Sequence, residues 1–155
     1  MQITRATTYA LSAVLQLADS PTRVRSAPWL AEATGVPTRF LAKILSRLSR
    51  ARLLISTPGA RGGFRLSRPA SRISVWDVVE AVEDSPKLIG CLENEEFCGR
   101  AAGACAMMEV WKAAQDAMVR ELSRATLDEI SQRDAALKSW PTATQQPQCS
   151  SPTTA

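Results

Sequence analysis

Ser26-Ala-Pro-Trp-Leu-Ala-Glu-Ala-Thr-Gly35-Val-Pro-Thr38-Arg-Phe-Leu-Ala-Lys43-Ile-Leu-Ser-Arg47-Leu-Ser-Arg50 is the stretch that decides the fold. Ser26 is placed to cap a helix, with Pro28 in its first turn, where the missing N–H costs nothing. Gly35 stands where a helix ends in a left-handed residue. After Val36 and Pro37 a second helix is expected from Thr38 to about Arg50. Helix, glycine turn, helix is the helix-turn-helix pattern. Ala31 and Val36 are small enough to let the two helices cross closely. In the second helix Phe40, Leu41, Ile44, Leu45 and Leu48 form an inward stripe. Arg39, Lys43, Arg47 and Arg50 fall on the other side. A recognition helix needs one face to pack and one face for phosphates and base edges.

An ordinary amphipathic core helix would show the same stripe. The residues after Arg50 argue for DNA instead. Leu53 to Thr57 reads as a short strand, Pro58-Gly-Ala-Arg61-Gly62-Gly63 as a turn, and Phe64-Arg-Leu-Ser67 as a half-buried strand. A helix-turn-helix with a basic hairpin after it is a winged helix. The glycines at its tip let the backbone lie against phosphates or in a minor groove.

Charge supports the same partner. The net charge of +4 is mild, but no acidic residue lies between Glu32 and Asp77. That window holds Arg39, Lys43, Arg47, Arg50, Arg52, Arg61, Arg65, Arg68 and Arg72. A solvated surface usually mixes signs, whereas a one-sign block attracts a polyanion.

Upstream, Thr4 or Thr7 is placed to cap a first helix reaching about Ala18, with Leu11, Val14, Leu15 and Ala18 at helical spacing. Downstream, Ser74-Val-Trp-Asp77 has the form of a capping box. The helix it opens carries Val75, Val78, Val79 and Val82 on one face. A long helix is then expected from Ala106 to about Gln132. Its stripe of Met107, Trp111, Ala114, Met118, Leu122 and Ala125 is close to a coiled-coil period and is read as a homodimer interface. The tail from Arg133 is polar and proline-containing, the composition of disorder.

Between these helices lies Cys91-Leu-Glu-Asn-Glu-Glu-Phe-Cys98-Gly-Arg-Ala-Ala-Gly-Ala-Cys105, with six residues between successive cysteines. A loop could fold these thiols onto one centre; a rigid helix could not. Thiolates select iron–sulfur clusters or zinc. The fourth cysteine, Cys149, lies in the tail and is not expected to be a ligand. The chain has no histidine, so histidine-dependent triads and Cys-His zinc sites are excluded and no enzyme is expected. No apolar run approaches the ~20 residues of a membrane span. Met1-Gln-Ile-Thr-Arg lacks a secretory core, so a cytoplasmic protein is expected.

Taken together, residues 1–132 resemble the Rrf2 family of bacterial winged-helix regulators. The resemblance rests on Met1-Gln-Ile-Thr-Arg-Ala-Thr-Thr-Tyr9-Ala-Leu, Phe40-Leu-Ala-Lys-Ile-Leu-Ser-Arg-Leu, Gly62-Gly-Phe-Arg-Leu66 and Ile73-Ser-Val-Trp-Asp-Val-Val-Glu-Ala-Val-Glu83, with the three cysteines and the helix after them. It implies a mainly α fold: a winged helix-turn-helix DNA-binding domain at 1–83, a cluster loop at 84–105, a dimerisation helix at 106–132 and a disordered tail at 133–155. It implies an iron–sulfur cluster on Cys91, Cys98 and Cys105. It also implies a double-stranded DNA operator touched by Pro37, Thr38, Arg39, Lys43, Arg47, Arg61, Gly62 and Gly63. The expected function is transcriptional repression sensing redox state, nitric oxide or iron; sensing by a cysteine disulfide or by zinc is the alternative. The chain departs from the family at three places. Pro58-Gly59 replaces Arg-Gly in the wing, leaving Arg61 to reach the minor groove. Thr8 and Met108 replace the acid and the histidine that serve some members as fourth ligand.

Overall fold

The computed structural model describes residues 4–20, 22–59, 62–83, 86–92 and 106–138. Helix α1 (Arg5–Ala18) is central and touches every other helix of the winged unit. Its buried face is Thr7, Ala10, Ala13, Val14 and Leu17. The expected stripe of Leu11, Val14, Leu15 and Ala18 is thus rotated. Leu11, Leu15 and Ala18 pack at the margin of the core, while the alanines take the centre because several helices cross there at once.

Helix α2 (Ala27–Thr34) starts as expected: the Trp29 N–H donates to the Ser26 hydroxyl at 3.3 Å. It stops at Gly35, whose φ of 68° suits glycine. Helix α3 (Thr38–Arg50) buries Leu41, Ile44, Leu45 and Leu48. Phe40 departs from the expected stripe and is 47% exposed, facing a cleft beside α1 rather than the core. The end of α3 is closed by two bonds, Arg52 N–H to Ser49 carbonyl at 3.0 Å and Leu53 N–H to Leu48 carbonyl at 2.9 Å. This Schellman turn puts Arg52, not a glycine, at φ 58°.

Strands β1 (Leu54–Thr57) and β2 (Gly63–Leu66) form the antiparallel wing, pairing Leu54 with Leu66 and Ser56 with Phe64. Arg25 adds a third member that the sequence pattern did not signal. It exchanges backbone bonds with Phe64 at 2.9 and 2.8 Å. Two of the wing glycines are set by close approach: a Cβ on Gly63 would lie 2.3 Å from the Arg25 carbonyl oxygen, and one on Gly62 would lie 2.2 Å from that of Thr57.

Helix α4 (Val75–Val82) has the full capping box, with Ser74 N–H to Asp77 at 2.8 Å and Asp77 N–H to the Ser74 hydroxyl at 3.1 Å. Val78, Val79 and Val82 are buried, and Val75 is half-buried.

The expected single helix from 106 to 132 is two helices, α5 (Met108–Arg124) and α6 (Leu127–Lys138). A local signal makes the break. Thr126 and Glu129 form their own capping box at 3.2 and 3.3 Å, which restarts the helix. A tertiary contact holds it: Val75 N–H donates to the Ala125 carbonyl at 2.8 Å and Leu127 N–H to the Ile73 carbonyl at 2.9 Å. Leu127 is 0% exposed, and α6 returns to pack on α1 and on the 3-10 turn Ala70–Arg72. Helical structure therefore continues past Arg133, where the polar tail was expected to begin. No helix among the described residues is long and apolar enough to cross a membrane.

Candidate nucleic-acid interface

The outer face of α3 presents Thr38, Arg39, Lys43, Ser46 and Arg50 to solvent, with Pro37 exposed just before it. The fold holds this face rigid, because the opposite side of the same helix supplies four residues to the core. Two clefts flank it. One, of about 460 Å³, is lined by Arg5, Ala6, Tyr9, Phe40, Lys43, Ile44 and Arg47. The other, of about 410 Å³, is lined by Ala42, Lys43, Ser46, Arg47 and Arg50. No lining residue of either cleft is acidic, so an anion entering either one faces cations and no carboxylate in the lining. Arg5 and Tyr9 were not foreseen as part of this surface; nothing in the sequence shows that the start of α1 lies beside α3.

Arg47 was expected on the outer face with the other cations, but the structure gives it a second task. Its Nη1 donates to the Val82 carbonyl at the end of α4. Next to it, Glu83 accepts from the Thr4 N–H at 3.1 Å, from the Thr4 hydroxyl at 2.8 Å and from the Thr7 hydroxyl. Burial alone would raise the Glu83 carboxyl. The bonds from Thr7 and Thr4, with the charge of Arg47, outweigh it and hold the group below its ordinary value. Glu83 thus joins α1, α3 and α4 at one point. The sequence carried no signal of this, since Glu83 reads as a solvated residue after a helix.

At the wing, Gly62 stands in the turn as expected, Gly63 opens β2 rather than closing the turn because its backbone pairs with Thr57, and Arg61 lies outside the described residues. The root of the wing has a cation of its own: the Arg25 guanidinium lies 3.9 Å from the centroid of the Trp29 ring.

The backbone of Cys91 lies in a 3-10 turn, Gly90–Leu92, against α5. Cys98 and Cys105 lie outside the described residues, as does Cys149. The segment leading to Cys91 is fastened to α5 by Gln115, which accepts from the Leu88 N–H at 2.8 Å and donates to the Pro86 carbonyl at 3.0 Å. Gln115 was also missed, because a polar residue on a helix reads as solvent-facing. Gln115 is the buried residue of α5. Of the expected dimer stripe, Met107 and Ala114 are exposed, and Trp111, Met118 and Leu122 are half-buried. Val110, outside that stripe, is 55% exposed.

Comparison with known proteins finds relatives along most of the chain. A family described as Rrf2, "Iron-dependent Transcriptional regulator", matches residues 3–133. Protein aau3 of Rhizobium meliloti (strain 1021) is 35% identical over 130 residues, covering 84% of each chain. Protein rrf2 of Nitratidesulfovibrio vulgaris (strain Hildenborough) is 32% identical over 141 residues, covering 88% of this chain and 91% of that one. Among solved structures, CymR (YrzC), the global cysteine regulator of B. subtilis, superposes with a TM-score of 0.70 at 25% identity, covering 86% of this chain and 98% of that one. Matched over residues 3–133, and by a curated relative along most of both lengths, this chain belongs to the Rrf2 family of transcriptional regulators.

Proposed function

We propose that two copies of this chain bind a duplex DNA operator, each through α3 and the wing, and repress transcription according to the state of an iron–sulfur cluster on Cys91, Cys98 and Cys105. The observation that carries the DNA half is the acid-free outer face of α3, flanked by two clefts lined with Arg5, Lys43, Arg47 and Arg50. In this reading Pro37, Thr38, Arg39 and Lys43 meet the major groove. Arg61, Gly62 and Gly63 follow the backbone into the minor groove. Arg47 contributes its charge while holding α3 to α4.

Dimerisation through α5 is supported by Met107 and Val110, large apolar residues left exposed at the start of the helix, and by Trp111, Met118 and Leu122, which the chain itself covers only in part. Paired half-sites then need both recognition helices. Replacing Met118 by Glu places a charge in that interface and converts the dimer to monomer in sedimentation; an intact dimer would remove α5 from the interface.

The donor set fits a cluster by its chemistry: three thiols in one short segment, in a chain with no histidine. The family description names iron. When bound, a cluster would supply a redox-sensitive bridge among the thiolates. Thr8 and Met108 offer neither carboxylate nor imidazole, so a fourth position would be weakly held. A second reading is sensing without a cluster, by a disulfide among these cysteines or by zinc; the chain also superposes on a global cysteine regulator. Anaerobic reconstitution separates the two: iron, sulfide and operator affinity are measured for the wild type and for Cys91→Ala, Cys98→Ala and Cys105→Ala. Each variant is expected to lose iron and sulfide. A variant that keeps a full complement sinks the cluster reading and leaves the DNA half standing.

A further inference from the structure

Gln115 is 7% exposed, on a helix that buries no other residue. A buried carboxamide is costly unless both its ends are bonded. Here both are, and to groups that fix its orientation: the Leu88 N–H donates to Oε1, and the Pro86 carbonyl accepts from Nε2. The side chain acts as a short piece of β-ladder, holding the segment from Pro86 to Leu88 along α5. Cys91 comes three residues later in a turn closed by the Leu92 N–H and the Ile89 carbonyl at 3.0 Å. A leucine would fill a similar space, so packing alone gives no reason for an amide at this position.

We propose that Gln115 is a positioning residue for the segment that carries Cys91. Its carboxamide sets where the segment carrying Cys91 lies against α5, and by this link the state of the cysteines reaches α5 and the operator affinity of the dimer. The inference rests on the sensing function proposed above, and the test is built so that the two fail separately.

Three variants decide it in the full chain. Gln115→Leu keeps the volume and loses both bonds. Gln115→Glu cannot donate to Pro86 while ionised, but regains the donor when protonated. Gln115→Asn tests whether the reach to both partners matters. Hydrogen exchange over residues 86–92 is expected to speed up by about tenfold or more in the Leu and Asn variants. The Glu variant, which still accepts from the Leu88 N–H but cannot donate to Pro86 while ionised, should fall between wild type and the Leu variant at neutral pH and recover wild-type protection factors in acid, with the wild type at the same pH as reference. Alkylation of Cys91 by iodoacetamide in reduced protein should rise by a similar factor in the Leu variant. The ratio of operator affinities between iron-loaded and iron-free protein should collapse towards one, with iron-free affinity unchanged. Unaltered exchange in the Leu variant, absence of acid recovery in the Glu variant, or an affinity ratio kept at wild-type size each overturns the proposal. If the wild type itself shows no such ratio, the sensing function fails instead, and exchange and alkylation still decide whether Gln115 positions the segment that carries Cys91.

Discussion

Removing the Glu83 carboxylate should loosen the joint between α1, α3 and α4, and its cost can be worked from the bonds. The group accepts from the Thr4 N–H, the Thr4 hydroxyl and the Thr7 hydroxyl. A hydrogen bond to a charged group contributes about 1.5–3 kcal/mol when well buried. Glu83 is only partly buried, so water competes and each is worth roughly half that or less. The carboxylate also meets the positive end of α1, for about 0.3–1 kcal/mol. Glu83→Ala should therefore destabilise the protein by about 2–3 kcal/mol, and Glu83→Gln, which keeps an acceptor without charge, by about 1 kcal/mol. The assay is urea unfolding at fixed protomer concentration, from pH 7 down to pH 3. The folded-state pKa is depressed, so the ionised group stabilises the fold fully above its unfolded value, about 4.3. That share is lost as pH falls through the lower folded value. The gap between wild type and Glu83→Gln should thus narrow in acid. A Glu83→Ala variant within about 0.5 kcal/mol of wild type at pH 7, or a gap that stays constant into acid, would refute the reasoning.

Three further outcomes are expected. Leu127→Ala, which empties a fully buried site, should cost about 2–5 kcal/mol in urea unfolding; a smaller loss would mean that α6 does not seal the core. Arg52→Gly should stabilise by about 1 kcal/mol, because Arg52 is held at φ 58° in a region that penalises a Cβ; its thermal midpoint should rise by a few degrees. Lys43→Ala should weaken operator binding and lower the slope of log affinity against log salt by about one; an unchanged slope would take Lys43 off the phosphates.

The parts of the fold legible in the sequence are those governed by nearest neighbours. Ser26, Pro28 and Gly35 mark both ends of α2 through local capping chemistry, and Ser74 with Asp77 marks α4 in the same way. The stripe of α3 was readable because one continuous face is buried, except at its edge, where Phe40 turns to a cleft shared with α1. Elsewhere partners distant in sequence decide. The buried face of α1 is set by several helices together, and spacing alone could not choose between adjacent faces. Arg25 joins the wing through Phe64, 39 residues away, with no strand-like run around it. The break after Arg124 was readable in part. Thr126-Leu-Asp-Glu129 is a capping box by sequence, but the apolar period running through α5 masked it. In the candidate site, the cations of α3 were read from charge, whereas Glu83 and Gln115 were not. Each is defined by bonds to residues on another element, and a lone polar residue carries no mark of such bonds.

The clasp between residues 73–75 and 125–127 also bears on how the protein is made. A ribosome delivers α1 to α4 well before α6, and chains tend to acquire structure as they emerge. Those early helices cannot complete their core, because the place of Leu127 stays empty until the cysteine segment and α5 have both been synthesised. Ser131, whose hydroxyl reaches Asp19 across 112 positions at 2.6 Å, arrives later still. Closing so long a loop adds little entropy beyond that of a shorter one, but contacts this distant form slowly. The winged unit therefore completes its core only after the segment proposed to control it has been made. A nascent chain has no interval in which a finished winged helix exists without its cysteines.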